Sequence, residues 1–574
     1  MTQLSYSQGS NAIPLIAQTI GEVFDSTATR FSDRLALVVQ EQGIRWTWTT
    51  LKRHVDQLAR AFMALGVQAG DRIGIWAPNR VEWCMTQFAS AKVGAILVNI
   101  NPAYRTSEFE YVMAQSQCSW IISDELFKGS NYHAMINEAI PELAATPPGA
   151  LALERLPALR GVISLSDSQH PGFLGWQPLM DMAEGVTPQQ LEARQATLQF
   201  DDPINIQYTS GTTGFPKGAT LSHYNIVNNG FFVAESLGLT ELDRVVIPVP
   251  LYHCFGMVMG NLGCLTHGSA MIYPSAAFDP LKVLQAVSRE RATALFGVPT
   301  MFIAELEHPQ RGEFDLSSLR TGIMAGASCP IEVMKRVMDE MHMAQIQIAY
   351  GMTETSPVSL QTGPHDMVEQ RVATVGRTQP HLESKIVDAA GRIVPRGQVG
   401  ELCTRGYSVM LGYWNNPQGT LDTLDASRWL RTGDLATMDQ AGFVTIVGRI
   451  KDMIIRGGEN IYPCEVEEFY RTHPAVADIY IIGIAHPKYG EELVAWARIR
   501  AEETVTDEAL RLWAKDKIAH YKIPRHFKFV DDFPMTVSGK IQKFKMRELS
   551  QRELGEQILA ATDSEVVDRS SSAS

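Results

Sequence analysis

Disulfide chemistry has little to work with in this chain. Its 574 residues include only seven cysteines, at positions 84, 118, 254, 264, 329, 403 and 464, an odd and scattered set without a C-x-x-C pair. That pattern excludes a disulfide scaffold and fits a reducing compartment. His253, Cys254, Cys264 and His267 are close in sequence, but their spacing follows no zinc pattern and their segment is strongly apolar. No structural metal is expected there. Basic residues are also short: 50 Lys and Arg face 63 Asp and Glu, for a net charge of −13. Nucleic acid or an anionic membrane surface is therefore excluded as the main partner, and any anionic substrate has to be met by local cations. The first 29 residues lack Lys and Arg, so neither a secretory signal nor an Arg-rich transit peptide is read there. Gly, Asn or Pro interrupts the longest apolar runs before they reach membrane-spanning length. A soluble, cytoplasmic protein without integral membrane association is expected.

What the chain does have is a stretch suited to phosphate. Tyr208-Thr-Ser-Gly-Thr-Thr-Gly-Phe-Pro-Lys-Gly218 contains Gly211, Gly214 and Gly218, which allow positive φ and close backbone approach. Thr209, Ser210, Thr212 and Thr213 add hydroxyl donors to the exposed backbone N–H groups, and Lys217 adds positive charge. Upstream, Ile204-Asn-Ile-Gln-Tyr208 alternates apolar with polar as a strand does, so the loop leaves the end of a sheet, where ligands sit in α/β folds. A Walker A loop needs a Ser or Thr directly after its lysine; here Pro216 precedes Lys217 and Gly218 follows it, and that reading fails. A Gly/Thr-rich surface turn is the plainer alternative. The segment resembles the phosphate-binding signature of the adenylate-forming (AMP-binding) superfamily, which includes acyl-CoA synthetases, amino-acid adenylation domains and beetle luciferases. The resemblance requires further motifs in a fixed order.

Along the chain, strands at Leu35 to Val39 and Ile44 to Trp48 precede a helix from Thr50 to Leu65. A buried strand from Arg72 then leads to a helix at Arg80 to Lys92 and a strand at Ala95 to Ile100. Such repeats imply a parallel, doubly wound sheet. Residues 140 to 200 read as a peripheral excursion. A second alternating series predicts strands at Arg244 to Pro248, Ala270 to Tyr273, Ala294 to Gly297, Thr321 to Ala325 and Gln345 to Tyr350, with helices at Pro280 to Arg291 and Pro330 to His342. Short strands from Ala373 to Val447 suggest a small β unit. The final α+β unit has helices predicted at Pro463 to Thr472 and Asp507 to His520. The expected fold is therefore α/β: a large N-terminal domain, 1–448, of two doubly wound sheets plus a small β unit, then a small mobile α+β domain, 449–552. A polar tail, 553–574, is expected to be disordered.

The later motifs arrive in order. Tyr350-Gly351-Met-Thr353-Glu354 follows a strand, which sets a carboxylate at the mouth of the second sheet, where Mg2+ can bridge phosphate oxygens. The resemblance implies Glu354 as metal ligand with Thr209, and Thr353, Tyr350 and Gly351 as part of the nucleotide site. It also implies that Asp434 accepts hydrogen bonds from the ribose hydroxyls, a task suited to an acceptor-only carboxylate, that Arg449 contacts the ribose, and that adenine packs on Gly326, Ala327 and Ser328. Pro534-Met-Thr-Val-Ser-Gly-Lys540 matches the loop of the family's catalytic lysine, whose ammonium would meet the charge that develops when a carboxylate attacks the α-phosphate. Lys217 is expected to face the β and γ phosphates.

The acceptor is read from Met453-Ile-Ile-Arg-Gly457-Gly458, which resembles the segment lining the pantetheine tunnel of acyl-CoA synthetases. Lys451 matches the family's hinge and His253 its gating position. Amino-acid adenylation domains carry an aspartate for the substrate amine within the stretch corresponding to Leu251 to Gly260, and this chain has no carboxylate there. An apolar acyl group fits better, with Phe231 to Val233, Phe255 to Met257 and Ile323-Met324 as candidate lining. The runs 219–229, 250–254 and 453–463 are most similar to medium-chain acyl-CoA ligases. The resemblance thus implies a fatty acyl-CoA synthetase that uses ATP, Mg2+ and CoA and forms acyl-AMP, with catalytic residues Lys540, Thr353, Glu354 and His253. Its alternative is an adenylating enzyme for a short or branched acid, or one that loads a carrier protein. The partners implied are small molecules, with a homodimer as the oligomer considered.

Overall fold

The computed structural model describes residues 3–209, 216–327, 329–487, 489–501, 503–536 and 541–554. It divides into two compact units: Tyr6–Ser384 with Cys403–Arg431, and the described residues of Met1–Ser5, Lys385–Leu402 and Thr432–Ser574.

In the larger unit two sheets enclose a common core. The first has eight strands among the described residues, in the order 173–175, 161–164, 120–123, 72–76, 96–99, 203–209, 217–222 and 412–413. Its first six strands run parallel, and the last two are added antiparallel. The second has nine, and its six central strands, from 345–351 across to 35–39, are parallel. Parallel strands are covered on both faces, and here their side chains alternate between cores. Ile73, Ile75 and Leu97 face a core shared with Leu37, Phe296 and Ile323 of the second sheet. Trp76, Ile96 and Val98 face the outer helices 106–116 and 132–139. Leu295, Met324 and Ile346 face those at 280–290 and 331–340. The helix Val81–Val93 lies in the shared core with all but one residue buried. Its buried polar groups are partnered: Lys92 Nζ pairs with Asp25 and Asp56, and Gln87 Nε2 donates to the Met257 carbonyl at 3.0 Å.

Two expectations need correction. Residues 140–200 do not stay peripheral, because Gly161–Ser164 and Phe173–Gly175 extend the first parallel sheet. The helix begun at Asp507 stops at Ala514, not His520: Lys515 is extended and Asp516 takes φ 62°. The other predicted elements form with end shifts of a few residues; the tail from 555 lies outside the described residues.

In the smaller unit, Thr432–Met438 of one strand pairs antiparallel with Val444–Arg449. Beyond them, Val476–His486 and Gly490–Ile499 form a long antiparallel pair, and Ile454–Arg456 and His526–Phe529 both pair along the other edge of Gly490–Ile499, at Gly490 and at Val494–Ala497. Helices Pro463–Arg471 and Asp507–Ala514 cover one face through Val466, Tyr470 and Leu510. Trp496, Phe533 and Met546 fill the other.

Candidate active site

The phosphate-type loop spans a hairpin. Pro203–Thr209 and Lys217–Ser222 pair antiparallel in a register that sets Thr209 opposite Lys217. Ser210, Gly211, Thr212, Thr213 and Gly214, between them, lie outside the described residues. The hairpin presents a hydroxyl and an ammonium side by side at the end of the first sheet.

Glu354 is brought to the same place by a reversal of the chain at the end of the second sheet. The strand Gln345–Gly351 turns back on Val358–Gln361, and backbones pass so closely that a Cβ on Gly351 would sit 1.7 Å from the Pro357 carbonyl oxygen. Glycine is therefore required at 351. A single 3-10 turn, Thr353–Thr355, carries the acid. Its placement is fixed from outside: Met410 N–H donates to the Glu354 carbonyl at 2.9 Å, and Ser356 Oγ donates to the Ser408 carbonyl at 2.6 Å. The Glu354 carboxylate, in a residue only 8% exposed, accepts a 2.8 Å hydrogen bond from the Tyr413 hydroxyl and lies 3.4 Å from Thr209 Oγ1. Burial, and then the Glu354 charge, hold the Tyr413 phenol well above its ordinary pKa, so it remains a donor. Lys217 Nζ lies over the Tyr413 ring, 5.1 Å from its centroid.

Thr209, Lys217 and Glu354, all predicted from sequence, thus meet around Tyr413, which was not. Tyr413 reaches them because Gly412–Tyr413 pairs with Ala219–Thr220 as the last strand of the first sheet. A two-residue strand remote in sequence carries no periodic signal, so no local feature marks this tyrosine. The donor chemistry suits a hard cation: a carboxylate and a hydroxyl are oxygen ligands of the kind Mg2+ takes.

Around this cluster the other expected residues take separate positions. Thr353 Oγ1 is 3.9 Å from Cys254 Sγ. His253 Nδ1 accepts the Phe255 N–H at 3.2 Å, at the start of a fully buried π-helical stretch, Phe255–Leu262. Such stretches are rare and frequent at functional sites. Tyr350 is half-buried on the strand that leads to Glu354. Gly326 takes φ 91° just after the strand Thr321–Ala325. Ala327 beside it is exposed, and Ser328 is not among the described residues. The proposed acyl lining divides: Val233, Phe255, Met257 and Ile323 share the inner core, Phe231 and Phe232 pack with Leu382 and Tyr407, and Met324 faces the outer helices.

In the smaller unit Asp434 and Arg449 are cross-strand partners, with Arg449 Nε 3.1 Å from Asp434 Oδ1. Asp434 is 5% exposed, whereas the Arg449 side chain is mostly in solvent. Gly457 and Gly458 form the two-residue link of the hairpin Ile454–Arg456 and Glu459–Ile461, with φ of 61° and 90°. A tight hairpin link of that kind demands positive φ at both central positions, so the turn itself accounts for both glycines. Lys451 is exposed on a 3-10 turn, Ile450–Asp452. Lys540 lies outside the described residues.

Residues 24–414 match the family model of the AMP-binding enzyme. The chain belongs to the AMP-binding enzyme family. Residues 465–540 match the C-terminal domain of the same enzymes, and the adenylate-forming resemblance read from the motifs therefore holds. This AMP-binding enzyme is 48% identical over 535 residues, 93% of its own length and 97% of the relative's, to YngI of Bacillus subtilis (strain 168), named provisionally as an acyl-CoA synthetase. It is 45% identical over 561 residues, 96% of its length and 90% of the relative's, to the mitochondrial medium-chain acyl-CoA ligase ACSF2 of Homo sapiens. Among solved structures it resembles ATP-bound MatB from Rhodopseudomonas palustris, with TM-score 0.80, 26% identity and coverage of 92% of this chain and 99% of that one. It also resembles the anthranilate CoA ligase AuaEII in complex with anthranoyl-AMP, with TM-score 0.81, 26% identity and coverage of 95% and 99%. The α/β architecture expected from sequence, with its small C-terminal unit, agrees with these neighbours. Among the described residues no helix is long and apolar enough to cross a membrane.

Proposed function

We infer that this AMP-binding enzyme is an AMP-forming acyl-CoA synthetase: a carboxylic acid and ATP give acyl-AMP and pyrophosphate, and the CoA thiol then displaces AMP. The observation that carries the reading is the convergence of Thr209, Lys217 and Glu354 at the ends of two sheets, within a chain of the AMP-binding family. Glu354 and Thr209 would hold Mg2+, which supplies charge neutralisation at the phosphates. Lys217 faces the β and γ phosphates as a point charge. Tyr350, Gly351 and Thr353, with the loop 210–214, complete the phosphate surroundings, and Gly326, Ala327 and Ser328 leave room for a flat base.

Asp434 accepts hydrogen bonds from the ribose, with Arg449 beside it, and Lys540 meets the charge that develops on the α-phosphate. Gly457 and Gly458 lie along the CoA arm, His253 gates the thiol's approach, and 449–552 acts as the mobile domain with Lys451 as its hinge. The favoured substrates are medium-chain fatty acids, in line with the apolar group of Val233, Phe255, Met257 and Ile323 and with the name of the ACSF2 relative. Seven free cysteines, five of them buried, suit a reducing compartment such as the cytoplasm.

The test is acid-dependent pyrophosphate release across a panel of straight-chain and branched acids, followed by AMP release with and without CoA. Release of AMP only on CoA addition supports the reading. Adenylation that ignores CoA and responds to a carrier protein would replace it with the carrier-loading alternative.

A further inference from the structure

Glu125, His133 and His170 meet at the edge of the first sheet, in a group with no part in the adenylation chemistry. The strand Trp120–Ser123 leads to Glu125, and a tight hairpin follows, Leu126–Phe127 against Ser130–Asn131. Its link is Lys128-Gly129, at φ 46° and 77°. The turn returns the chain so that the helix Tyr132–Ala139 starts beside Glu125, with His133 in its first turn. His170 comes from a separate loop, between Gly161–Ser164 and Phe173–Gly175. One ligand atom from each of the three residues lies within 4.8 Å of the other two.

The polar bookkeeping of this cluster is incomplete. His133 is 4% exposed, yet neither of its ring nitrogens makes a well-formed hydrogen bond, although the Ser123 backbone is near enough to act on the ring, and the buried Nε2 of His170 also makes none. His170 Nε2 lies 3.3 Å from Glu125 Oε2, close but not aligned as a hydrogen bond. Buried imidazole nitrogens are otherwise almost always satisfied, because leaving water without a partner is costly. Glu125, by contrast, is already oriented: Ser166 Oγ donates to its Oε2 at 2.6 Å. Carboxylates that ligate a metal are commonly held by such a hydrogen bond from outside, the part Ser166 plays here.

We propose that Glu125, His133 and His170 form a binding site for a zinc-class divalent ion. Two imidazoles and a carboxylate match Zn2+ and its borderline neighbours rather than the all-oxygen preference of Mg2+. Ligands about 2.0–2.2 Å from a tetrahedral ion lie roughly 3.4 Å from one another. The His170–Glu125 separation of 3.3 Å already matches that edge, and the other separations, all within 4.8 Å, have at most about 1.4 Å to close when the imidazoles turn onto the ion. Three protein ligands leave one position for water or an exogenous anion. The ion would staple the 125–133 hairpin and helix start to the 165–172 loop, and so fix the edge strand Phe173–Gly175.

The experiment uses the full-length protein, stripped with a chelator, freed of it, and titrated with Zn2+ by calorimetry and with Co2+ by its visible ligand-field bands. One equivalent is expected that His170→Ala weakens by about a hundredfold, one ligand's share of a zinc site's affinity. Ser166→Ala should weaken it by about tenfold or more by releasing Glu125. The Co2+ bands should be those of a four-coordinate nitrogen and oxygen site and should disappear in His170→Ala. Zn2+ should raise the unfolding temperature of the parent and not of that variant. His170 is on a loop and partly exposed, so His170→Ala is expected to fold and to keep pyrophosphate release at the parent rate, even where His133→Ala does not fold. Equal Zn2+ stoichiometry, affinity and thermal shift in parent and His170→Ala would overturn the proposal, as would Co2+ bands unchanged by the substitution.

Discussion

Tyr413 donates a 2.8 Å hydrogen bond to Glu354 Oε1 and holds the carboxylate toward Thr209. If Glu354 carries Mg2+, Tyr413 acts through it. Tyr413→Phe keeps the ring under Lys217 and deletes the donor. The Mg2+ concentration for half-maximal pyrophosphate release should then rise by about tenfold, the scale of losing a partner that orients a ligand. The rate at saturating Mg2+ should change little. Glu354→Gln should lower that rate itself, by about a hundredfold. A Mg2+ titration of both variants checks this; an unchanged Mg2+ requirement in Tyr413→Phe would reduce the tyrosine to a packing residue.

Asp434 is buried while its partner Arg449 is largely in solvent, so the carboxylate is the better-held acceptor for a ribose. Asp434→Ala should raise KM for ATP by about 10- to 100-fold, the range for losing hydrogen bonds to a charged group, and leave KM for the acid almost unchanged. Asp434→Asn, which keeps one acceptor oxygen, should fall between. Steady-state kinetics with each substrate varied in turn decides it. A rise in the acid's KM instead would remove Asp434 from the nucleotide site.

Much of this architecture was readable because the strands are short apolar runs with turn residues between them, and burial on both faces leaves such runs few alternatives. Glu354 was readable for a related reason: it follows a strand and a glycine that no other residue can replace. Tyr413 was not, since only tertiary pairing with Ala219–Thr220 brings it to the carboxylate. The strand Gly161–Ser164 was missed because prolines and charges around it hide a four-residue run. Gly457 and Gly458 show the opposite failure. Sequence marks them as special, but hairpin geometry already explains them, so they say less about CoA than their motif suggests.

Phe255 and Met257 share the inner core with Ile323, and no carboxylate interrupts the stretch from Leu251 to Gly260. An apolar chain bound there gains about 0.8 kcal/mol per buried methylene, roughly fourfold in affinity. kcat/KM should therefore climb by about that factor for each added carbon, then stop where the site ends. The acid panel gives the curve directly. Acetate as the best substrate, with longer acids progressively worse, is the result this reading does not survive.

His223 is fully buried at the start of the helix His223–Ser236, where its Nδ1 accepts the Ile20 N–H at 3.1 Å. Burial pushes its pKa down to about 3. In the unfolded chain the imidazole takes a proton near pH 6.5, and in the folded state it stays neutral. The unfolded state therefore binds more protons below that pH. Stability from this group is complete above about 6.5 and is lost as pH falls toward 3, at up to about 1.4 kcal/mol per pH unit. His223→Asn keeps an acceptor without the titration, and its urea midpoint should fall less steeply between pH 6.5 and 4. Parallel curves for parent and variant would show that the acid sensitivity comes from elsewhere.

Lys540 and Gly458 both fall in the 449–552 stretch read from sequence as the C-terminal domain, yet one is proposed to serve adenylation and the other thioester formation. An ammonium held on the α-phosphate competes for space with an incoming thiol, so the two steps call for two arrangements of the 449–552 domain. Lys451, exposed on its 3-10 turn, is where a few residues would absorb the change in φ and ψ. Lys540→Ala should cut acyl-AMP formation by at least about a hundredfold, the scale of one preorganised electrostatic donor. Synthetic acyl-AMP supplied to that variant should still be consumed with CoA at close to the parent rate. Lys451→Pro should do the reverse, because proline fixes φ and can lock the hinge in the adenylating arrangement. Acid-dependent pyrophosphate release follows the first half-reaction and CoA consumption from acyl-AMP the second. Equal losses in both halves for Lys540→Ala, or an intact second half in Lys451→Pro, would leave a single fixed arrangement as the better description of this enzyme.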